Sequence, residues 1–202
     1  MIEVCRGSSR DPGRSSSGTV ATGYRIGGYA VDAPEGVRYE GSPFVLITHA
    51  HCDHICGLAQ YNSGYGCSEF AAAAITKPME EATLCTHLGF EPPRRPPERI
   101  LREGDRLEGD GFSIEVLETP GHSKGSLCFY VPELKAAFTG DTVFGGGALP
   151  SCTLPTSEPG KLVESYEKLA SYEIEKICPG HGEPFSSKHY VESLIPLVAD
   201  FI

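Results

Sequence analysis

THAHCDHICG, Thr48 to Gly57, is the stretch on which the reading of this chain turns. Three histidines and one aspartate occupy the span His49 to His54. The apolar run FVLIT (44–48) leads straight into them and reads as a short buried strand. Imidazole nitrogen and carboxylate oxygen are good ligands for zinc, iron and manganese. On extended backbone, positions i and i+2 share a face, so His49 and His51 can grip one ion together. Asp53 and His54 lie past a turn, at the start of a helix expected over 53–61, and can reach a second ion or the same one. Cys52 stands between His51 and Asp53; it is not counted as a ligand and is expected to point away from the metals.

Working outward, the same arrangement recurs downstream. FSIEVLETPG ends at His122, AAFTG ends at Asp141 and IEKICPG ends at His181. Strand ends are a common way to bring side chains from distant sequence to one cleft. A glycine stands beside each of these donors, in PGHS, TGD and PGHG, and lets the backbone bend sharply there. The candidate metal ligands are therefore His49, His51, Asp53, His54, His122, Asp141 and His181. His87 and His189 fall outside every motif and read as surface or helix-end histidines.

Length and composition bound the rest. A chain of 202 residues suits one compact domain, 1–202, with a sizeable core. Its hydrophobic share of 40% and charged share of 22% are those of a globular protein. The formal net charge of -10 disfavours phosphate backbones, so nucleic acid is not an expected partner. The arginines 94, 95, 99, 102 and 106 read as a solvated loop face balanced by Glu98, Glu103 and Asp105. MIEVCRGSSR lacks the apolar core of a signal peptide, and Phe70 to Ile75 is too short to cross a bilayer. The expectation is a cytoplasmic protein, with no membrane partner and a small-molecule substrate. Its eight cysteines show no regular framework and are expected to be mostly reduced thiols, with no need of disulfide staples. Cys56, Cys67, Cys85, Cys128 and Cys178 read as fillers of small apolar spaces.

Local patterns suggest an exposed loop over 7–18, paired short strands over 24–34 and a helix over 75–88 started or interrupted at Pro78. Strands are expected in 112–120, 126–131, 136–141 and 174–180. Leu162, Val163, Tyr166, Leu169 and Ala170 form a helical face. The tail from Ser187 is helical in pattern, with Ser187 as N-cap and Pro196 as a kink or end. The glycine run 145–147 offers a small-side-chain rim that could approach a ligand closely.

THAHCDH (48–54), TPGHSKGS (119–126), FTGDT (138–142) and CPGHG (178–182), in this order, resemble the metallo-beta-lactamase superfamily, its glyoxalase II-like branch above all. The resemblance spans most of the chain. It implies an α/β fold, a four-layer αββα sandwich with a binuclear site at one edge of the sheets. It implies one metal on His49, His51 and His122, a second on Asp53, His54 and His181, and Asp141 bridging them, with a hydroxide between the ions. Asp141 and Asp53 are the implied catalytic carboxylates, Asp53 orienting the hydroxide or passing a proton. Two divalent ions lower the pKa of bound water and polarise a carbonyl oxygen.

The activity so implied is metal-dependent hydrolysis of a thioester or related ester, with zinc as the first choice of metal and iron or manganese behind it. The alternatives are a mononuclear iron persulfide dioxygenase using His49, His122 and Asp141, and a lactonase or small-molecule phosphodiesterase of the same superfamily. The chain departs from glyoxalase II in two places. No Arg or Lys occurs between Asp141 and Lys161, where that branch has a Gly-Arg-containing loop. Only 21 residues follow His181, too few for the helical extension that helps hold glutathione. Lys124 is a weak candidate for a substrate carboxylate and reads better as an exposed loop lysine.

Overall fold

A computed structural model describes residues 1–6 and 21–202. The loop expected over 7–18 lies outside the described residues. The chain divides into two compact units, Met1–Leu101 and Arg102–Ile202. Each contains one six-stranded mixed sheet with its own helices, so the α/β class expected from the sequence is what is found.

In the first unit the elements are β1 (Ile2–Arg6), β2 (Thr22–Ile26), β3 (Tyr29–Val31), β4 (Phe44–Leu46), α1 (Cys52–Ile55), β5 (Tyr65–Cys67), α2 (Glu69–Thr76), α3 (Glu80–Thr83), α4 (Cys85–Leu88) and β6 (Arg99–Ile100). The sheet runs in sequence order from β1 to β6. β1, β2 and β3 pair antiparallel, whereas β3, β4, β5 and β6 pair parallel. Parallel neighbours require long connections. The one from β4 to β5 carries α1, and the one from β5 to β6 carries α2, α3 and α4. Val45, Ile47, Ile55, Leu58, Tyr65 and Ile75 are fully buried in this unit's core. Each such side chain contributes roughly 1.5–3 kcal/mol by leaving water.

The helix expected over 75–88 is interrupted at Pro78 as read, but its first part starts earlier and its second part is broken again. α2 begins at Glu69, capped by Ser68, whose Oγ accepts from Ala71 N at 3.2 Å. It ends before Pro78, which has no N–H to give and pushes its predecessor out of the helical region. Two single turns follow, parted by Leu84 in the left-handed region at φ 54°. The reading of the arginine-rich segment as a solvated face is also corrected at one position. Arg95 reaches back to Tyr61 O at 2.7 Å and Ser63 O at 2.6 Å, so it ties the loop before β5.

The cysteine expectation changes more. Cys52 and Cys85 form a disulfide, across a sequence separation of 33. A chain of this length was not expected to need one, and Cys85 is no mere space-filler. Closing a loop of that size contributes about 3–4 kcal/mol in the chain-entropy account. The other six cysteines are outside any disulfide. Burial pushes the Cys67 thiol up to about 12 and the Cys128 thiol up to about 11, which suits apolar filling.

In the second unit the elements are β7 (Arg106–Glu108), β8 (Ser113–Glu118), β9 (Leu127–Val131), β10 (Ala136–Gly140), α5 (Leu162–Ala170), β11 (Lys176–Pro179), β12 (Phe185–Ser186) and α6 (Tyr190–Phe201). β7 to β10 form an antiparallel meander. α5 then carries the chain to β11, which pairs parallel with β10, and β12 closes the edge. Every residue of β9 and β10 is buried. Leu162, Tyr166 and Leu169 pack from α5 with Val191, Leu194 and Val198 from α6, as the helical spacing of both segments predicts. Ser187 is not the cap of α6. His189, at φ 58°, holds that position with no side-chain cap bond. Pro196 lies inside α6 without ending it, on an exposed face where a carbonyl freed from the helix ladder meets water.

One consequence concerns pH. Glu80 accepts from Thr86 N and His87 N at 3.0 and 2.9 Å, and these amides hold its carboxyl below the usual range. Ser113 N does the same to Glu133, and Lys188 and Lys135 to Glu175. A depressed folded pKa adds stability above the unfolded value, about 4.3, that is lost as pH falls through the folded one. Melting temperature is therefore expected to hold near neutrality and fall below about pH 5. A Glu80→Gln variant should lose less on acidification than the parent in the same thermal scan. An equal loss would show that the Glu80 cap carries none of this dependence.

Candidate metal centre

Each of the four candidate donors expected at a strand end follows a strand. β4 ends at Leu46 and the chain reaches His49 three residues on; β10 ends at Gly140 with Asp141 next. His122 follows the end of β8 and His181 the end of β11. The glycines behave as the motifs imply. Gly140 has φ 47° at the turn into Asp141. A Cβ on Gly121 would come within 2.5 Å of Leu162 Cδ1, so α5 can lie against the His122 turn only with glycine there.

In the first unit His49, His51 and His54 are buried, while the side chain of Asp53 is 27% exposed. His49 Nε2 lies 3.0 Å from His51 Nδ1, and His54 Nε2 lies 3.7 Å from Asp53 Oδ2. The protons can be placed from the neighbours. Asp32, fully buried, accepts from Thr48 N at 2.8 Å, Thr48 Oγ1 at 2.9 Å and His54 Nδ1 at 2.7 Å. A carboxylate only accepts, so His54 carries its proton on Nδ1 and turns the Nε2 lone pair outward. Thr48 Oγ1 gives its hydrogen to Asp32 and must accept from His49 Nδ1, 3.0 Å away. His49 therefore also offers Nε2 as a lone pair. Asp32 itself sits at φ 59°, a region aspartate tolerates, where Tyr39 Oη donates to its carbonyl at 2.6 Å.

In the second unit His122 Nε2 and His181 Nε2 lie 3.6 and 3.5 Å from the same oxygen, Asp141 Oδ2. His122 Nδ1 donates to Ser151 O at 2.8 Å, so this ring too is held with Nε2 as the lone pair. Ser157 Oγ donates to His122 O at 2.7 Å and ties the loop after Asp141 to the same residue. The glycine rim is less loose than its composition suggests. Tyr190 Oη accepts from Gly147 N and donates to Phe144 O, both at 2.8 Å, pinning the run to α6. Phe144 packs 6.4 Å from the His181 ring, centre to centre. Lys124 is exposed, as are His87 and His189.

These spacings can be set against a metal. Two ligand atoms each about 2.1 Å from a tetrahedral ion stand about 3.4 Å apart. The 3.0 Å pair in the first unit and the 3.5 and 3.6 Å pairs in the second lie within a few tenths of an ångström of that. The donor set of imidazole nitrogens and carboxylate oxygens fits zinc or iron better than magnesium or calcium. Asp32, Thr48 and Ser151 were not singled out from the sequence. Asp32 did carry a signal, since YAVD (29–32) ends an apolar strand on an acid just as AAFTGD does.

No helix among the described residues is long and apolar enough to cross a membrane. The chain is 29% identical over 172 residues to the hydroxyacylglutathione hydrolase of Brucella anthropi, covering 81% of this chain and 57% of that protein. It is 30% identical over 177 residues to the acyl-coenzyme A thioesterase MBLAC2 of Gallus gallus, covering 78% of this chain and 61% of that protein. The chain thus spans about three fifths of the length of these relatives. The crystal structure of TTHA1623 in a di-iron-bound form superposes with a TM-score of 0.65 at 26% identity, over 90% of this chain and 95% of that one. The family model for the metallo-beta-lactamase superfamily matches residues 43–181, from the strand before His49 through His181, and the chain belongs to that superfamily.

Proposed function

We propose that this protein is a metal-dependent hydrolase that cleaves a thioester, or a related ester, of a small molecule. In this reading the two units act as one domain. His49, His51 and His122 hold one divalent ion, Asp53, His54 and His181 hold a second, and Asp141 serves both. The ions are zinc. The observation that carries the reading is the proton placement: His49, His54 and His122 are each held by a neighbour in the tautomer that offers Nε2 to a cation. The names of the Brucella and Gallus relatives, both thioester hydrolases, point to the bond cleaved.

Bound there, divalent cations would supply an activated water at neutral pH and polarise the scissile carbonyl. The chain's own contribution is orientation. Asp32 and Ser151 fix the rings, and burial of His49, His51 and His54 keeps competing water from them. Asp53 and His181, with side chains 27% and 19% exposed, are the donors nearest solvent, which supports giving Asp53 the role of taking or passing a proton. A cytoplasmic setting belongs to this reading.

The test is a substrate panel on protein whose metals are measured by elemental analysis. It pairs S-lactoylglutathione and an acyl-coenzyme A with a lactone, a phosphodiester and glutathione persulfide. Turnover of a thioester, about two zinc ions per chain, and loss and recovery of activity on chelation and zinc return are expected. Oxygen uptake with the persulfide on one bound iron, or no thioester turnover in metal-replete protein, would overturn the proposal.

A further inference from the structure

Cys52 stands between His51 and Asp53, and its sulfur is bonded to Cys85 on α4. We propose that this cross-link is a positioning device for Asp53 and His54, and that its oxidation state sets whether the protein keeps the ion those two residues hold. The proposal rests on the two-ion reading above.

α1 is four residues long, far below the length at which a helix is stable by itself. Its N-cap, His51, makes no side-chain cap bond. Its geometry must therefore come from what it is tied to. At its C-terminal end, Ala33 N donates to His54 O at 2.7 Å, and Asp32 takes His54 Nδ1. At its N-terminal end the tie is covalent, through Cys52. The far side of that tie is itself clamped: α4 has two of its amides, Thr86 N and His87 N, on the Glu80 carboxylate. So a chain of contacts runs from Glu80 through α4 and the disulfide to the backbone that aims Asp53. Cutting it leaves the His54 ring held by Asp32 but removes the covalent tie adjacent to Asp53.

Both sulfurs are fully buried, so reduction must pass through a local opening of α1. A water-soluble phosphine reduces the bond cleanly. Phosphorus attacks one sulfur and the S–S bond breaks; water gives its oxygen to phosphorus and two hydrogens to the sulfurs. The products are a phosphine oxide and two thiols. Coupling is reciprocal, so the ion should in turn slow the reduction.

The experiment uses the full chain loaded with zinc, in its oxidised form and after phosphine treatment, alongside Cys85→Ser, which leaves the ligand stretch intact. Thiols are counted after unfolding, zinc is measured after gel filtration through a competing chelator, and circular dichroism reports the fold. The oxidised protein should show six thiols, eight cysteines less two, and retain two ions. The reduced protein and Cys85→Ser should retain one, with affinity for the other down ~10–100-fold, at unchanged dichroism. Equal retention of two ions in both states would overturn the positioning role alone. Loss of both ions together with the dichroism signal would overturn it too, by reducing the bond to a general staple. Retention of no zinc in either state would instead defeat the two-ion reading.

Discussion

Asp141→Ala is expected to abolish hydrolysis while the protein stays folded. Asp141 Oδ2 is the one anionic donor of the second unit's set and lies 3.6 and 3.5 Å from the Nε2 atoms of His122 and His181. Alanine leaves two neutral imidazoles with no charge between them. Replacing a residue that merely supports a ligand typically costs 10–100-fold in affinity or activity, so loss of the residue proposed to serve both ions should cost ~100-fold or more. The side chain is not part of either apolar core, and β10 ends before it, so the melting temperature of the metal-free protein should barely move. Elemental analysis, steady-state rates and a thermal scan on one preparation check all three. An alanine variant as active as the parent, at the same metal content, would remove Asp141 from the site.

The second large effect is expected at Asp32, a residue that is no ligand. Asp32→Ala removes the acceptor for Thr48 N, Thr48 Oγ1 and His54 Nδ1 in a fully buried place. Breaking a buried charged cluster of this kind costs about 3–5 kcal/mol. Asp32→Asn is the more informative change. Asparagine tolerates the left-handed backbone at φ 59° and keeps one oxygen. With that oxygen on Thr48 N, its NH2 faces Thr48 Oγ1 and His54 Nδ1. The imidazole then accepts at Nδ1 and carries its proton on Nε2, the nitrogen proposed to face the ion. Metal affinity should fall ~10–100-fold with a smaller stability loss than in Asp32→Ala. Nitrogen chemical shifts of the His54 ring report the tautomer directly. An unchanged Nδ1–H tautomer with parental zinc affinity would show that Asp32 does not orient this ligand.

Much of this was legible in the sequence because it is local. FVLIT, AAFTG and IEKICPG are apolar runs that stop at a donor, and each is a strand in the structure with the donor just past its end. Leu162, Tyr166 and Leu169 share a helical face and are buried together. The helix over 75–88 was read with an interruption at Pro78, which the structure has; what the sequence did not show is the left-handed Leu84, which parts the remainder into two single turns, and the start at Glu69. The cap of α6 misled for a related reason. Serine is the better capping side chain, yet the chain turned at His189, two residues later.

The order and chemistry of the donors, His49, His51, Asp53, His54, His122, Asp141 and His181, are properties of the sequence by itself. So are the strands that carry them, since alternation and turn glycines act within a few residues. Only the tertiary structure decided which ring nitrogen of His54 holds the proton, because its partner Asp32 lies 22 residues away. It also decided that Cys52 bonds Cys85, 33 residues on, and that Tyr190 pins the glycine run. Those pairings depend on the path of the chain between the partners, which periodicity and spacing do not encode.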